Sequence, residues 1–346
     1  MADVKVFVVD DSALVRKILT TQLAKYPGIE VIGQAADPYE ARDKIVVNKP
    51  DVMILDIEMP RMDGLTFLAK LMKSFPIPVI IVSSLSKKGS DVAIRALELG
   101  AVDVMAKPSG SYSVVDMVDE LVEKIKAASF VSVLSLKKRF EQNQEVITQQ
   151  TKSNAVFKTT DKIIAIGSST GGTEAVKDVL VQLPSNMPPI VVTQHMPPNF
   201  TKSWAERLNS MCQMEVREAQ QGDEIAPGKV LIAPGGYHMT IKRSGARYYV
   251  ELNQDEPVWH QRPAVDVMFN SVAKYCGKNA VGVIMTGMGR DGASGLKAMR
   301  DAGAYTIGQD EKTSIVYGMP KVAFEEGAVC EQQPLNSIAK RLMELV

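Results

Sequence analysis

Val4-Lys-Val-Phe-Val-Val-Asp10-Asp11-Ser12 opens the chain with six residues of strand character that run straight into two carboxylates and a hydroxyl. From Ser12 to Lys25 the apolar residues then fall at helical spacing. An apolar strand that ends in charge and turns directly into a helix is the first half of a βα unit. The rhythm continues outward from there. Strand-like runs at Glu30–Gln34, Val52–Leu55, Val79–Val82 and Val102–Met105 alternate with helical patterns near Tyr39–Asn48, Leu65–Ser74, Asp91–Leu99 and Val114–Ile125. Repeated βα units of this length predict a parallel sheet with helices on both faces.

Past residue 125 the pattern lapses, and the charge changes with it. Residues 1–125 carry 15 basic and 18 acidic side chains, residues 126–161 carry 6 and 3, and residues 162–346 carry 19 of each. The middle stretch is rich in Ser, Gln, Asn and Thr and reads as a linker, giving domains at 1–125 and 162–346. Its first part, Ser129–Phe140, suits a helix continuing from Val114, and Lys137-Lys138-Arg139 reads as charge complementing the helix end. From Lys162-Ile-Ile-Ala-Ile166 a second α/β pattern begins, with apolar runs at Ile190–Val192, Lys229–Ile232, Val281–Met285 and Tyr305–Ile307.

Composition narrows the function classes. The 346 residues hold 40 basic and 40 acidic side chains, so the basic surplus of a nucleic-acid coat is missing. A hydrophobic content of 45 % excludes a wholly disordered chain. Three dispersed cysteines without a CxxC pair indicate neither a disulfide framework nor a zinc site. The start lacks the features of a secretion signal, and no apolar run approaches the ~20 residues of a membrane span. The expectation is a cytoplasmic protein with no membrane insertion.

Parallel sheets carry their chemistry at the carboxyl ends of the strands. In the first domain these ends hold Asp10, Asp11, Asp56, Ser83 and Lys107-Pro108. Three carboxylates in one crevice repel one another and need a hard cation with oxygen ligands, for which Mg²⁺ is suited. Taken singly, Asp10 or Asp11 could instead cap the helix starting at Ser12, and Asp56 could open a turn. Val-Val-Asp10-Asp11-Ser, Leu-Asp56-Ile-Glu-Met-Pro60-Arg-Met-Asp63-Gly64, Val-Ser83-Ser84 and Lys107-Pro108 together resemble a response-regulator receiver domain, which implies a flavodoxin-like fold. The resemblance implies that Asp56 accepts a phosphoryl group from a histidine kinase. It also implies that Asp11, Asp56 and the backbone carbonyl of Glu58 hold Mg²⁺ with support from Asp10, and that Ser83 and Lys107 respond to the phosphoryl group.

In the second domain Gly167-Ser168-Ser169-Thr170-Gly171-Gly172 joins a strand to the helical pattern Thr173–Leu183 and fits G-x-S-x-G centred on Ser169. Such a turn presents a hydroxyl at a helix N-terminus, with the amide of Thr170 placed for an oxyanion. A phosphate cradle is the rival, although neither GxGxxG spacing nor a P-loop lysine is present, and a plain tight turn also fits. A nucleophilic serine needs a base, and only His195, His238 and His260 exist. His195 leads because it directly follows a strand; His238 and His260 could line a pocket or sit satisfied in loops. For the carboxylate that orients the base, Asp291 in Met285-Thr-Gly-Met-Gly-Arg-Asp-Gly-Ala-Ser-Gly295 competes with Asp266. Asp291 is favoured by the glycines around it, although it could instead cap a helix near Ala293–Ala302.

Ile-Gly-Ser-Ser169-Thr-Gly-Gly-Thr-Glu-Ala, Gln-His195-Met-Pro, Ala233-Pro-Gly-Gly and Thr286-Gly-Met-Gly-Arg-Asp291-Gly, joined to a receiver, closely resemble the family of chemotaxis protein-glutamate methylesterases. The resemblance implies a doubly wound α/β catalytic domain with a Ser169–His195–Asp291 triad and an oxyanion hole from the amides of Thr170 and Met288. It implies hydrolysis of glutamate γ-methyl esters on methyl-accepting chemoreceptors, deamidation of certain glutamines by the same chemistry, and no cofactor for the esterase. A receiver resting over the Ser169 cleft would inhibit until a chemotaxis histidine kinase phosphorylates Asp56. One segment departs from the pattern: where the family more often reads His-Arg-Pro-Ser-Val-Asp, this chain has Trp259-His260-Gln-Arg-Pro-Ala-Val-Asp266.

Overall fold

A computed structural model describes residues 3–107, 114–133, 136, 137, 140 and 162–346. Pro108, Lys138, Arg139 and the linker from 141 to 161 lie outside the described residues. The chain divides into two compact units, 1–149 and 150–346.

The first unit alternates β1 (Val4–Val9), α1 (Ala13–Leu23), β2 (Ile29–Ala35), α2 (Pro38–Val47), β3 (Val52–Asp56), α3 (Gly64–Ser74), β4 (Val79–Ser83), α4 (Lys87–Glu98), β5 (Asp103–Ala106) and α5 (Val114–Ser129). The five strands are parallel in the order β2-β1-β3-β4-β5, the flavodoxin-like winding. That order places the reversal between β1 and β3, so their carboxyl ends open on one crevice. β3 and β4 are buried at every residue, which explains why they read as unbroken apolar runs. Helix starts follow the local chemistry: side chains of Ser12, Asp37, Asp63 and Ser86 accept from amides of the first turn.

Two expectations change here. Helix α4 begins a turn before Asp91, because Ser86 caps it and Gly89 fits where a Cβ would lie 2.6 Å from the Ser84 carbonyl oxygen. The helix expected to continue to Phe140 is interrupted. After Ser129 the amides of Phe130 and Val131 reach back only three residues, to Ala127 and Ala128, which tightens and ends α5 before helical residues resume at 133, 136, 137 and 140.

The second unit is built on a seven-stranded sheet. Its elements are β6 (Ile163–Ser168), α6 (Gly172–Leu180), β7 (Ile190–Gln194), α7 (Phe200–Asn209), β8 (Glu215–Glu218), β9 (Lys229–Ile232), a hairpin of β10 (His238–Ser244) and β11 (Arg247–Asn253), α8 (Val265–Cys276), β12 (Ala280–Ile284), α9 (Ala293–Asp301), β13 (Tyr305–Gln309), α10 (Met319–Glu325), β14 (Glu331–Gln333) and α11 (Leu335–Leu345). The sheet runs β14-β13-β12-β6-β7-β9-β8, with every pairing parallel. This is a doubly wound α/β domain whose winding reverses at β6, between β12 and β7. The hairpin lies outside the sheet and is tied to α8 by the amide of Ile241, which donates to Ser271 Oγ at 2.9 Å. Its two strands, and the edge strands β8 and β14, went unforeseen. Glu215-Val-Arg-Glu218 and Glu331-Gln-Gln333 are too short and polar to show an apolar run. Among the described residues no helix is long and apolar enough to cross a membrane.

Candidate active site

The three strands meeting at the reversal of the second sheet each deliver one side chain. Ser169 follows β6, His195 follows β7 and Asp291 lies on the loop after β12. His195 Nδ1 is 3.1 Å from Ser169 Oγ, and His195 Nε2 is 2.7 Å from Asp291 Oδ2. The three are buried, at 8, 6 and 2 % exposure. The carboxylate fixes the tautomer: Nε2 donates to Asp291, which leaves Nδ1 bare to accept the serine proton. The ring is thus used in the opposite sense from the trypsin-type triad, where Nε2 faces the serine.

Asp291 is held harder than a single partner would hold it. Its Oδ2 also accepts the amide of Val265 at 2.6 Å, and Oδ1 accepts the amide of Asp266 at 2.8 Å. These are the first amides of α8, so the helix's positive end faces the carboxylate. The alternative in which Asp291 caps α9 is overturned, because the N-cap there is Gly292, which has no side chain to cap with, and Asp291 bonds to α8 instead. The competitor Asp266 is drawn elsewhere. Its Oδ1 accepts from Gly295 at 2.7 Å, inside the first turn of α9, and its Oδ2 accepts from the Trp259 indole at 3.0 Å. The two aspartates therefore serve each other's helices reciprocally, Asp291 at α8 and Asp266 at α9. Burial, reinforced by the nearby charge of Asp291, raises the Asp266 carboxyl above its ordinary range against the pull of the Gly295 amide.

The Ser169 turn is clamped by groups that sequence reading did not single out. Gln194 Oε1 accepts from Ser168 Oγ at 2.7 Å, while its Nε2 donates to the carbonyls of Ser169 at 2.9 Å and His195 at 3.1 Å. One side chain thus ties the serine's peptide to the histidine's. Thr286 accepts the Ser169 amide on its carbonyl at 3.0 Å and donates its hydroxyl to the Thr170 carbonyl at 3.0 Å. Its own amide is fixed by Gln309 Oε1 at 2.8 Å. The only sequence signal for these groups was polar residues ending apolar strands. The glycines separate by role: Gly171 takes φ +77 to start α6, while a Cβ on Gly287 would stand 2.7 Å from Ser169 Cβ. Thr170 follows Ser169 in its turn, and Met288 follows Gly287. Gly287 is pinned by its amide to Val316 and by its carbonyl to Gly318 and Met319.

The other histidines are accounted for differently. His238 is 1 % exposed, accepts the Ala264 amide on Nδ1 at 3.2 Å and donates from Nε2 to the Glu256 carbonyl at 3.1 Å. It is a satisfied core side chain. His260 is exposed on a turn with φ +59.

In the first unit, one carboxylate oxygen from each of Asp10, Asp11 and Asp56 lies within 4.8 Å of the others. Lys107 Nζ is 2.7 Å from Asp56 Oδ2 and 3.1 Å from Asp10 Oδ2. Burial pushes the Asp56 carboxyl up to about 6, with Lys107 pulling it down and Asp10 adding to the rise. For Lys107, burial opposes the charge, yet bonding to Asp56 and Asp10 outweighs it and raises the ammonium's pKa. An acidic pocket of this donor set fits a hard divalent cation such as Mg²⁺. Asp56 Oδ1 accepts the Glu58 amide at 3.1 Å, so the proposed turn and the pocket share one residue. The capping alternative for Asp10 and Asp11 does not hold, since Ser12 is the cap and Asp10 Oδ1 accepts its amide at 2.9 Å. Ser83 is buried with its hydroxyl donated to the Gly89 carbonyl at 3.3 Å.

Residues 164–342 match the family model of the CheB methylesterase, and residues 6–119 that of the response regulator receiver domain. The protein-glutamate methylesterase/protein-glutamine glutaminase 2 of Syntrophus aciditrophicus is 57 % identical, the alignment covering 100 % of each chain. The protein of the same activity name from Syntrophotalea carbinolica is 49 % identical over 99 % of this chain and 98 % of its own. The crystal structure of the Thermotoga maritima CheB methylesterase catalytic domain is similar at 41 % identity and a TM-score of 0.53, over 54 % of this chain and 100 % of that one.

Proposed function

The chain belongs to the CheB methylesterase family, and from that premise we propose that it is a phosphorylation-activated serine esterase. It hydrolyses glutamate γ-methyl esters on methyl-accepting chemoreceptors and deamidates certain glutamines there, resetting the receptors during chemotactic adaptation. The observation that carries this reading is the unbroken Ser169–His195–Asp291 hydrogen-bond line, at 3.1 and 2.7 Å, at the strand ends where the sheet reverses.

Ser169 Oγ attacks the ester carbonyl as His195 Nδ1 takes its proton, and Asp291 stabilises the imidazolium that results. The amides of Thr170 and Met288 receive the developing oxyanion. Methanol leaves with the proton returned from His195, or ammonia when the substrate is a glutamine. Water, activated by the same imidazole, then releases the glutamate carboxylate. These groups complete the acyl chemistry, and we assign no cofactor to it.

Asp56 is the phosphoryl acceptor, with a chemotaxis histidine kinase as donor. Asp10, Asp11, Asp56 and the Glu58 carbonyl would hold Mg²⁺, which supplies neutralisation of phosphoryl charge when bound. Lys107 adds a fixed cation, and Ser83 turns from Gly89 toward the new acceptor oxygens. A partner set of kinase and receptor signalling domains places the work in the cytoplasm, with no nucleic acid involved. The test is methanol release from methylated receptor membranes by wild type and Ser169→Ala. Loss of at least 10³-fold is expected of the variant on the scale of triad knockouts, and equal release by both would remove Ser169 as nucleophile.

A further inference from the structure

Trp259 leaves 48 % of its surface exposed, yet the protein holds it rigidly. It forms, with His260, the tip of a two-residue turn closed by hydrogen bonds in both directions between Val258 and Gln261, at 3.1 and 2.9 Å. Both tip residues are left-handed, at φ +52 and +59. Turns of that kind ordinarily take Asn or Gly, and two bulky residues there are strained. The indole N–H donates to Asp266 Oδ2 at 3.0 Å. The Arg290 guanidinium stacks 5.1 Å from the ring centroid and is itself held by Glu326 at 2.8 Å. Both anchors adjoin the triad. The Asp266 amide binds Asp291 Oδ1 at 2.8 Å, and Arg290 directly precedes Asp291 in the chain. A ring fixed by a turn, a hydrogen bond and a stacked cation, but half open to solvent, contributes little to a core. It is suited to contact, because an aromatic surface already ordered loses little entropy when a partner covers it.

We propose that Trp259 is a specificity-determining residue, packing against the polypeptide that flanks the target glutamyl ester and favouring protein-borne over free small esters. Arg290 and Asp266 are its positioning residues. This rests on the esterase reading above; the occupant is the protein substrate itself, because Trp259 is two hydrogen bonds from Asp291, through Asp266, and a target residue seated at Ser169 carries its flanking chain with it.

The experiment compares the full chain with Trp259→Asn and Trp259→Phe on two substrates, methylated receptor membranes and p-nitrophenyl acetate. Asn tolerates the left-handed turn, so that variant keeps the fold while removing the ring. With Trp259→Asn the KM for receptor rises about tenfold, as for an interface hot spot, while the small-ester rate falls far less and the thermal midpoint drops by a few degrees because Asp266 Oδ2 loses its indole donor. Trp259→Phe keeps most of the receptor affinity. An unchanged receptor KM in Trp259→Asn overturns the proposal, as does an equal loss on both substrates, which would make the ring a brace for the triad. Ser169→Ala run alongside separates the two levels: if it still releases methanol, the esterase assignment fails, whatever Trp259 does.

Discussion

His195 could be picked from the sequence because the chain has only three histidines and one of them ends a strand. Asp291 was harder: its glycine-rich surroundings favoured it as the orienting carboxylate, but a helix cap also fitted. What distinguishes it is invisible locally: its oxygens take amides from Val265 and Asp266, 26 and 25 residues away in sequence. The carboxylate faces three donors and no acceptor, a setting in which an amide cannot replace it without conflict. Asn at this position must place its NH₂ either at Oδ1, against the Asp266 amide, or at Oδ2, against the imidazole and the Val265 amide together. In the second orientation the imidazole is pushed to the Nδ1–H tautomer, which cannot take the serine proton, and in either one the charge that stabilises the imidazolium is gone. Asp291→Asn is therefore expected to lower kcat for methanol release by about 10⁴-fold with KM little changed, as for the equivalent change in a serine protease. A loss smaller than tenfold would show that the tautomer is not set by Asp291.

At the scale of elements, legibility followed burial. The central strands β3, β4, β6, β7 and β12 are buried throughout and read as apolar runs, whereas β8, β14 and the β10–β11 hairpin are edges or outliers with polar residues and no such signature. The reciprocal capping of α8 and α9 was also beyond reach, because a cap supplied from a segment about 25 residues away leaves no mark near the helix it serves. The glycines after β12 were legible as a cluster, but their separate reasons were not. Gly287 is the one pressed on the nucleophile: a Cβ there meets Met319 Sδ, which can shift, and Ser169 Cβ at 2.7 Å and N at 3.1 Å, which the Thr286 and Gln194 bonds hold in place. Gly287→Ala should thus move Ser169 away from His195 as well as strain the packing. Stability should fall by about 1–3 kcal/mol, the usual range for overpacking. Methanol release should fall more than that loss of folded protein explains. Urea unfolding and single-concentration kinetics on the same preparation check it, and a stable, fully active variant would show that the nucleophile turn can yield.

For the whole molecule the question raised by the proposed phosphoacceptor is how a charge placed on Asp56 in one unit would change the rate at Ser169 in the other. The zero net charge of the chain hides a division into −3 over residues 1–125, +3 over 126–161 and 0 beyond, and a phosphoryl group on Asp56, whose charge of about −2 replaces the −1 of the carboxylate, would make the unit that is already negative about one charge more so. Within that unit the addition is local. Asp56 is 1 % exposed and bonded to Lys107, and the Ser83 hydroxyl is spent on the Gly89 carbonyl at the start of α4. In the proposed phosphorylation the phosphoryl oxygens are stronger acceptors than that carbonyl, so Ser83 would be drawn to them and the β4–α4 connection would change shape. The rate change should then depend wholly on Asp56. Wild type treated with Mg²⁺ and a small-molecule phosphodonor should release methanol faster than untreated protein, and in Asp56→Asn the ratio of treated to untreated rates should fall to about one, because an amide forms no acyl phosphate. A ratio still above one in that variant would mean that the phosphoryl group is accepted elsewhere, and the Asp10–Asp11–Asp56 pocket would lose its place as the regulatory site.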